Sequence, residues 1–551
     1  VKLLEYTKII NDKDGNEFTY IDGIETTHPD YDVFSPRWKK ARDVIAGEET
    51  LKGTGNREYY LPRLNGHTNT TQGNADYTSF VEYAELFNAT GRSVEAYRGL
   101  LNRKLPFIKL PSKVKDLIKA FTIKDESIYT FMEQIEVETI VTNRVGLFID
   151  HPYVDTERKL TKHEAQFMNM SPYGTMYTAE SIINWEEKRV NNRIMTSLVV
   201  LKEEEYVRVD SFVPEIKITY RVLELDAQGY YRQVIIEPSV IVTDLQKQGM
   251  TKNVIKDVIY PKQDGKLMTF IPFYPVTAQG VTWELSKSVI SDLVNVNIAH
   301  FRNTAFHEKA IMWTASPTAV FSGLPTDTQS IGIGSTEAVI IAPGGTAKYL
   351  EYEGRGLDDI KIALDKKEQQ MAILGAKILA NEVNGIESGE AAMIHRAGEQ
   401  GILADIATTI GTAMEKLIEV ICAWRKVDFT ENSIVVEITK DYTPAVIDAN
   451  TVIALGKEVA EGRLSYESYV GAMQRGEIIP ATRDAKAELK LIAKTHEGTI
   501  LTNTERIEYL EKKGMTGIIK RAEELEEQAN PEPIEVAEPK VEESDDKTME
   551  L

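Results

Sequence analysis

Apolar residues in the second half of the chain recur at helical spacing. Leu285, Val289, Leu293, Val296 and His300 predict a long helix over about 285–310. Leu357, Ile360, Leu364, Met371, Leu374 and Ile378 form one stripe, predicting a second helix over about 357–381, roughly 38 Å long. Ile402, Ile406, Ile410, Leu417, Ile421 and Trp424 line a third, over 390–425, whose other positions are rich in Ala, Gly and Thr and suit close packing. Shorter helical segments are predicted at 450–461, 465–475 and 483–494. Between the first two long helices lies a glycine-rich stretch, 316–356, with short β runs at 338–341 and 347–352. Between the second and third lies the loop Asn384-Gly385-Ile386-Glu387-Ser388-Gly389.

Upstream the pattern changes. Val145 to Ile149 reads as a buried strand ending at Asp150-His151-Pro152. Ser197–Leu201, Ile216–Leu225 and Arg232–Val242 read as strands of a mostly antiparallel region, with a turn at Asp226-Ala227-Gln228-Gly229. Phe270 to Pro275 closes that region. Helices are predicted before it at 38–46, stopped by Gly47, over 77–101 with an interruption near 88–91, and at 114–121 and 127–141. Tyr59 to Leu64 reads as extended, because a residue before proline avoids the helical region. Ser433 to Thr439 reads as a strand. The fold class is therefore α+β. No fixed-period repeat is present.

Composition narrows the function. The chain has 551 residues, with 85 Asp and Glu against 64 Lys and Arg. Residues 521–551 hold 12 of the acids and 3 of the bases, so this segment carries −9 and the rest −12 of the net −21. From Gln528 onward Pro, Glu and Asp dominate, and a disordered tail is expected. The acidic balance argues against broad, tight binding to nucleic-acid phosphates. It is compatible with a channel through which DNA slides without being gripped. No run reaches the roughly 18 apolar residues of a membrane span, and no signal peptide opens the chain. The single cysteine, Cys422, excludes an intrachain disulfide and a multi-cysteine metal site.

Motifs of catalysis are missing. His307-Glu308 and His163-Glu164 would each begin a zinc-protease motif, but Ile311 and Phe167 stand where the second histidine belongs. His300 and His307 read as packing histidines. Ile331-Gly332-Ile333-Gly334 has no third glycine, and Pro343 to Lys348 lacks the phosphate-loop spacing. Cys422 reads as a buried, inert thiol. Asp358-Asp359 opens a helix, where acids favour the dipole. These absences point away from an enzyme, with no cofactor, and toward a structural or assembly protein.

The order of parts carries more. Two long helices around a compact insert can run antiparallel, with the insert as a tip at one end and the 384–389 loop projecting at the other. Copies in a ring would make a channel walled by these helices and narrowed by the loops.

At this point the chain resembles the portal proteins of tailed bacteriophages, in the portal subfamily long filed as a domain of unknown function. The resemblance is carried by His28-Pro29-Asp30-Tyr31, Trp38–Gly47, Tyr60–Leu64, Phe87–Pro106, Gly146–Tyr153, Ser181–Trp185, Phe270–Phe273, Asp292–Asn303, Gln370–Leu379 and Glu387–Gln400. It spans roughly residues 28 to 490. It implies a β-rich wing (1–280), stem helices (281–310 and 357–383) flanking a small α/β clip (311–356), a tunnel loop (384–389), a long wing helix with a return strand (390–449) and a helical crown (450–520). The tail, 521–551, lies outside it. It also implies a ring, usually of twelve copies, at one capsid vertex of the virion, assembled in the host bacterial cytoplasm. Double-stranded DNA would pass through without sequence reading, and partners would be the packaging terminase, a head–tail adaptor and the major capsid protein or scaffold. No membrane, metal or catalytic residue is implied.

Single residues can be assigned provisional parts. Gly385 and Gly389 give backbone freedom. Ile386 could touch DNA without reading it, and Glu387 would repel phosphate. His395 and Arg396 follow the loop and either line the channel or pair with acids of a neighbouring copy. Lys361, Lys366, Lys367 and Lys377 either face the channel or pair with Asp358, Asp365 or Glu368 on a solvated face. The alternative readings are another head structural or adaptor protein without a channel, which is usually much shorter, and a packaging nuclease-ATPase. The latter would need a phosphate loop and clustered acids, and neither is found.

Overall fold

A computed structural model describes residues 7–65, 67–152, 163, 164, 168, 170–190, 192–208, 212–242, 250–263, 265–315, 318–322, 343–350, 356–375, 389–430, 433–440, 442, 449–475, 478, 479, 483 and 485–497. The chain divides into two compact units between Tyr442 and Thr443.

The first unit is a mixed α+β fold. Its largest sheet has seven strands, in the spatial order Lys8–Asn11, Glu17–Ile21, Met250–Ile259, Tyr231–Ile241, Pro214–Leu225, Arg193–Arg208 and Ile182–Val190. All neighbours are antiparallel. Alternation sends Val200, Tyr220, Val222, Val234 and Ile236 to one face, where they pack with Ile21, Ile24 and Ile183. A four-stranded sheet, Gly280–Val281, Phe273–Thr277, Val145–Asp150 and Tyr173–Thr178, is antiparallel too.

The two sheets are tied by charge. Arg221 of the large sheet reaches Glu203 Oε1 at 2.7 Å and Asp150 Oδ2 of the smaller sheet at 3.4 Å. Gln233 Nε2 donates to the other Asp150 oxygen at 3.0 Å. A second brace joins the helix Pro29–Ala46 to the rest. Arg42 donates to both oxygens of Glu138 and both of Glu180. Paired, multiply bonded groups of this kind can be desolvated at tolerable cost.

Several expectations hold and several shift. The middle region is antiparallel β as read from the pattern. The two N-terminal strands, Lys8–Asn11 at the sheet edge and Glu17–Ile21 beside it, stand where only turn-rich chain is expected, and the first helix begins at Pro29, nine residues before Trp38. Residues Arg57–Tyr60 form one helical turn, not extended chain. The proline restriction acts on Leu61 alone, which is non-helical (φ −120°, ψ 79°). The segment 114–121 is a 3-10 helix over Ser112–Ile118. The strand in 433–439 is Val435–Glu437, which pairs with Phe107–Lys109.

The second unit contains the helices Ala449–Ala460, Tyr466–Arg475 and Ala485–Glu497, close to the three predicted. Val459, Val470 and Met473 are buried within it.

Candidate functional site: a helical hairpin with a β tip

The first long helix is Ser291–Ala315. It starts later than expected, after the Ser288–Ser291 turn, and it runs past residue 310 into the stretch 311–356 expected to be the clip. Leu293, Val294, Ile298, Phe301 and Ala305 are buried at three- and four-residue steps. Polar anchors fix its orientation. Asn297, fully buried, accepts from Thr90 N at 3.1 Å and Thr90 Oγ1 at 2.8 Å and donates to Phe87 O at 2.8 Å. Arg302 Nε donates to Tyr60 O at 2.7 Å.

The second long helix, Leu357–Leu374, buries Leu364 and Met371. It ends seven residues short of Asn381. At Gly375 the backbone leaves the helix (φ −105°, ψ −141°), and its N–H closes on Met371 O. A Cβ there would lie 2.5 Å from Ser93 Oγ and 2.8 Å from Met371 O, so only glycine fits without movement.

The two helices are antiparallel. The Gly375 end meets Leu293, with 3.6 Å from a Cβ position at Gly375 to Leu293 Cδ2. His300 Nε2 lies 3.3 Å from Glu368 Oε1. The strands Thr318–Ser322 and Thr346–Leu350 pair antiparallel beyond them, from Thr318 opposite Leu350 to Ser322 opposite Thr346. Along all these pairs both arms advance by equal numbers of residues, so helices and strands share one register. Most of the insert, 323–342 and 351–355, lies outside the described residues.

The outward side of the second helix carries Ile362, Lys366, Gln369 and Ile373 at steps of four, three and four, all exposed, with Lys361 beside them. Among the described residues Lys361, Lys366 and Lys367 make no ion pair. Glu368 turns instead to His300. The pairing of these lysines with Asp358, Asp365 or Glu368 is therefore not observed. His300 is buried, its Nδ1 has no hydrogen-bond partner among the described residues, and burial lowers its pKa against the opposing pull of Glu368. His307 Nδ1 sits 3.0 Å from Glu308 Oε1. No group of three or more His, Cys, Asp or Glu among the described residues could hold a metal ion.

The third long helix is Gly389–Trp424. Leu403, Ile406, Ala407, Ile410, Ala413, Met414, Leu417, Ile418 and Ile421 bury its inner face in the main core. Cys422 is buried with them, and burial raises its thiol pKa. At Gly411 a Cβ would sit 2.4 Å from Val436 O, so the helix lies directly on the strand Val435–Glu437. Of the expected loop, Gly389 opens this helix, while Asn384, Gly385, Ile386, Glu387 and Ser388 lie outside the described residues, as does Lys377. His395 and Arg396 are on the helix backbone, and their side chains are outside the description.

Residues 290–425 match the family described as Domain of unknown function (DUF4055). That stretch runs from the start of the first long helix to just past the end of the third. No curated protein matches the chain. Among solved structures, a chain of the one titled "Neck of native GTA particle computed with C12 symmetry" is similar over 69% of this chain and 88% of its own, at 10% identity and a TM-score of 0.34. At that identity and score the likeness carries no functional argument. No helix of the described residues is long and apolar enough to cross a membrane.

Two buried ionisable residues escape sequence reading. Arg144, 1% exposed, stacks 3.9 Å from the ring centre of Trp185 and lies within 6 Å of those of Trp38 and Trp283. Its three side-chain nitrogens have no hydrogen-bond partner among the described residues, and burial pushes its pKa down to about 9. Glu136 is fully buried; burial pushes its carboxyl up to about 8, against the bond donated by Asn102.

Proposed function

We propose that this chain is a portal-type subunit. Copies would close into a ring, of twelve in the usual case, at one capsid vertex, and double-stranded DNA would pass through the ring during packaging and ejection. The observation that carries the reading is the antiparallel long-helix hairpin with a β tip, followed by a third long helix buried in the core, inside the stretch that matches DUF4055.

The physical case is as follows. A hairpin held at its base by Asn297 and Arg302 is a rigid strut, and struts repeated by symmetry make a wall. Lys361, Lys366 and Lys367, which make no ion pair among the described residues, are available to phosphate, and the acidic balance of the chain limits how strongly DNA is held. In this reading the 384–389 loop narrows the channel. The β tip and its insert would receive the packaging motor and later a head–tail adaptor. A scaffold or major capsid protein would meet the outer surface.

Electron microscopy of the purified full chain, with mass measured in solution, tests the proposal. Closed rings with a central hole are the expected outcome. A compact monomer that hydrolyses nucleotide would overturn it. Rings without a hole wide enough for a duplex, about 20 Å, would favour another head structural protein.

A further inference from the structure

In a chain with a net charge of −21, residues 104–125 contain six lysines and two aspartates. This segment is one surface ribbon. Leu110, Val114, Leu117 and Phe121 pin it to the core at close intervals. Between those pins Lys109, Lys113, Lys115, Lys119 and Lys124 are exposed, and none is in an ion pair among the described residues. Asp116 is already engaged by Arg425, at 2.8 and 2.7 Å. Three large apolar side chains stand among the lysines: Leu105 is 68%, Phe107 59% and Ile123 69% exposed. The ribbon also holds the strand Phe107–Lys109, which among the described residues pairs on one side only, with Val435–Glu437. Its other edge can accept a further extended segment.

A surface that combines free ammonium groups, exposed apolar side chains and an open strand edge fits a peptide better than a duplex. Phosphates would satisfy the lysines and leave Leu105, Phe107 and Ile123 against water. The complementary chemistry is written in this same chain. Residues 531–546 read Pro-Glu-Pro-Ile-Glu-Val-Ala-Glu-Pro-Lys-Val-Glu-Glu-Ser-Asp-Asp. Glu532, Glu535, Glu538, Glu542 and Glu543 alternate with Ile534, Val536 and Val541. Three prolines restrict φ, which lowers the entropy lost when such a segment is ordered.

We propose that the ribbon at 104–125 is a docking surface for the acidic segment 531–546 of a second copy of this chain. The segment would lie along the open edge of Phe107–Lys109, its carboxylates against the lysines and its aliphatic side chains on Leu105, Phe107 and Ile123. More than thirty residues separate it from the last described helix, Ala485–Glu497, so it has length to reach a neighbour. Each copy would give one segment and receive one, which a closed ring satisfies without remainder. The choice of a neighbouring copy as the source rests on the ring reading; the chemistry of the surface does not.

The test uses full-length chain. Light and isotopically heavy copies are mixed before assembly and treated with a carbodiimide, which joins a lysine directly to a touching carboxylate. The linked peptides are then mapped. Links between Lys109, Lys113, Lys115, Lys119 or Lys124 and Glu532, Glu535 or Glu538 are expected, about half of them between light and heavy copies. They should vanish in 1 M salt, where screening falls to about 3 Å. The exposed triple substitution Lys113→Glu, Lys115→Glu, Lys119→Glu should abolish them, and adding Glu535→Lys, Glu538→Lys, Glu542→Lys to it should bring links between the same positions back. Links confined to single copies, or unchanged by the triple substitution, would overturn the proposal. So would protection of the same lysines from acetylation by a short DNA duplex at 0.15 M salt in place of the links. Rings that form without any such link would sink this proposal and leave the ring reading standing.

Discussion

Glu136 shows how one side chain makes the stability of the core depend on pH. Its ordinary pKa is 4.5, and in the fold burial raises it to about 8. Between those values the folded chain holds a proton that the unfolded chain has released. The contribution to stability therefore falls as pH rises across that window, by up to about 1.4 kcal/mol per pH unit. Glu136→Gln keeps an oxygen to accept from Asn102 and carries no charge. Thermal melts at pH 5, 6.5 and 8 should show the substituted chain losing less stability over this range than the parent; identical pH profiles would contradict the assignment. Arg144 is the converse case. Among the described residues it has no anion at hydrogen-bonding distance, and it is held by the faces of Trp185, Trp38 and Trp283. Neither residue could be identified from sequence. Glu136 follows two apolar steps of an ordinary helix, and the tryptophans around Arg144 are separated from it by 41 to 139 positions.

At the scale of elements, the third long helix and the strand Val435–Glu437 meet backbone against backbone at Gly411. Gly411→Ala places a methyl group where Val436 O now lies, 2.4 Å away, so helix and strand must part. A loss of about 1–3 kcal/mol is expected, read as a lower midpoint in urea unfolding. Gly401→Ala, on the same helix with nothing near its Cβ position, should be neutral or stabilising. The long helices were legible because their apolar stripes keep one period for many turns. The end of the second was not. Ile378 continues its stripe past Gly375, whereas the backbone leaves the helix at Gly375, where the nearness of Ser93, far away in sequence, leaves no room for a side chain. The strands Lys8–Asn11 and Glu17–Ile21 were illegible for a related reason. They are only four and five residues long, and Glu17–Ile21 is held by Met250–Ile259, more than two hundred residues on. Of the candidate site, the lysines of the second helix were visible as charges, while that Glu368 turns to His300 instead of Lys361, Lys366 or Lys367 required the structure.

For the whole molecule, the division after Tyr442 makes a direct claim. Tyr442 is the last residue of the main hydrophobic cluster, which draws on both sheets' neighbouring helices and on the third long helix. The second unit has its own buried residues, Val459, Val470 and Met473. A chain ending at Tyr442 should therefore fold, with near-native far-ultraviolet circular dichroism and one cooperative melt. A truncated product that melts without cooperativity would show that the first unit needs the second. The polar ties of the first unit, Arg42 with Glu138 and Glu180 and Arg221 with Glu203 and Asp150, are all internal to it, consistent with a unit that specifies its own structure.

The shared register of the hairpin limits how its length can change. Its arms are counted against each other from Leu293 and Gly375 at the base, through His300 and Glu368, to the strand pairs at the tip. One residue inserted in either arm below the tip would rotate that helix by about 100° and flip the strand above it, bringing buried side chains to the outside. Matched insertions on both arms, in whole helical turns, would leave every pair intact and lengthen the hairpin by about 5.4 Å per turn. Related chains can thus differ in the reach of this hairpin only in discrete, paired increments.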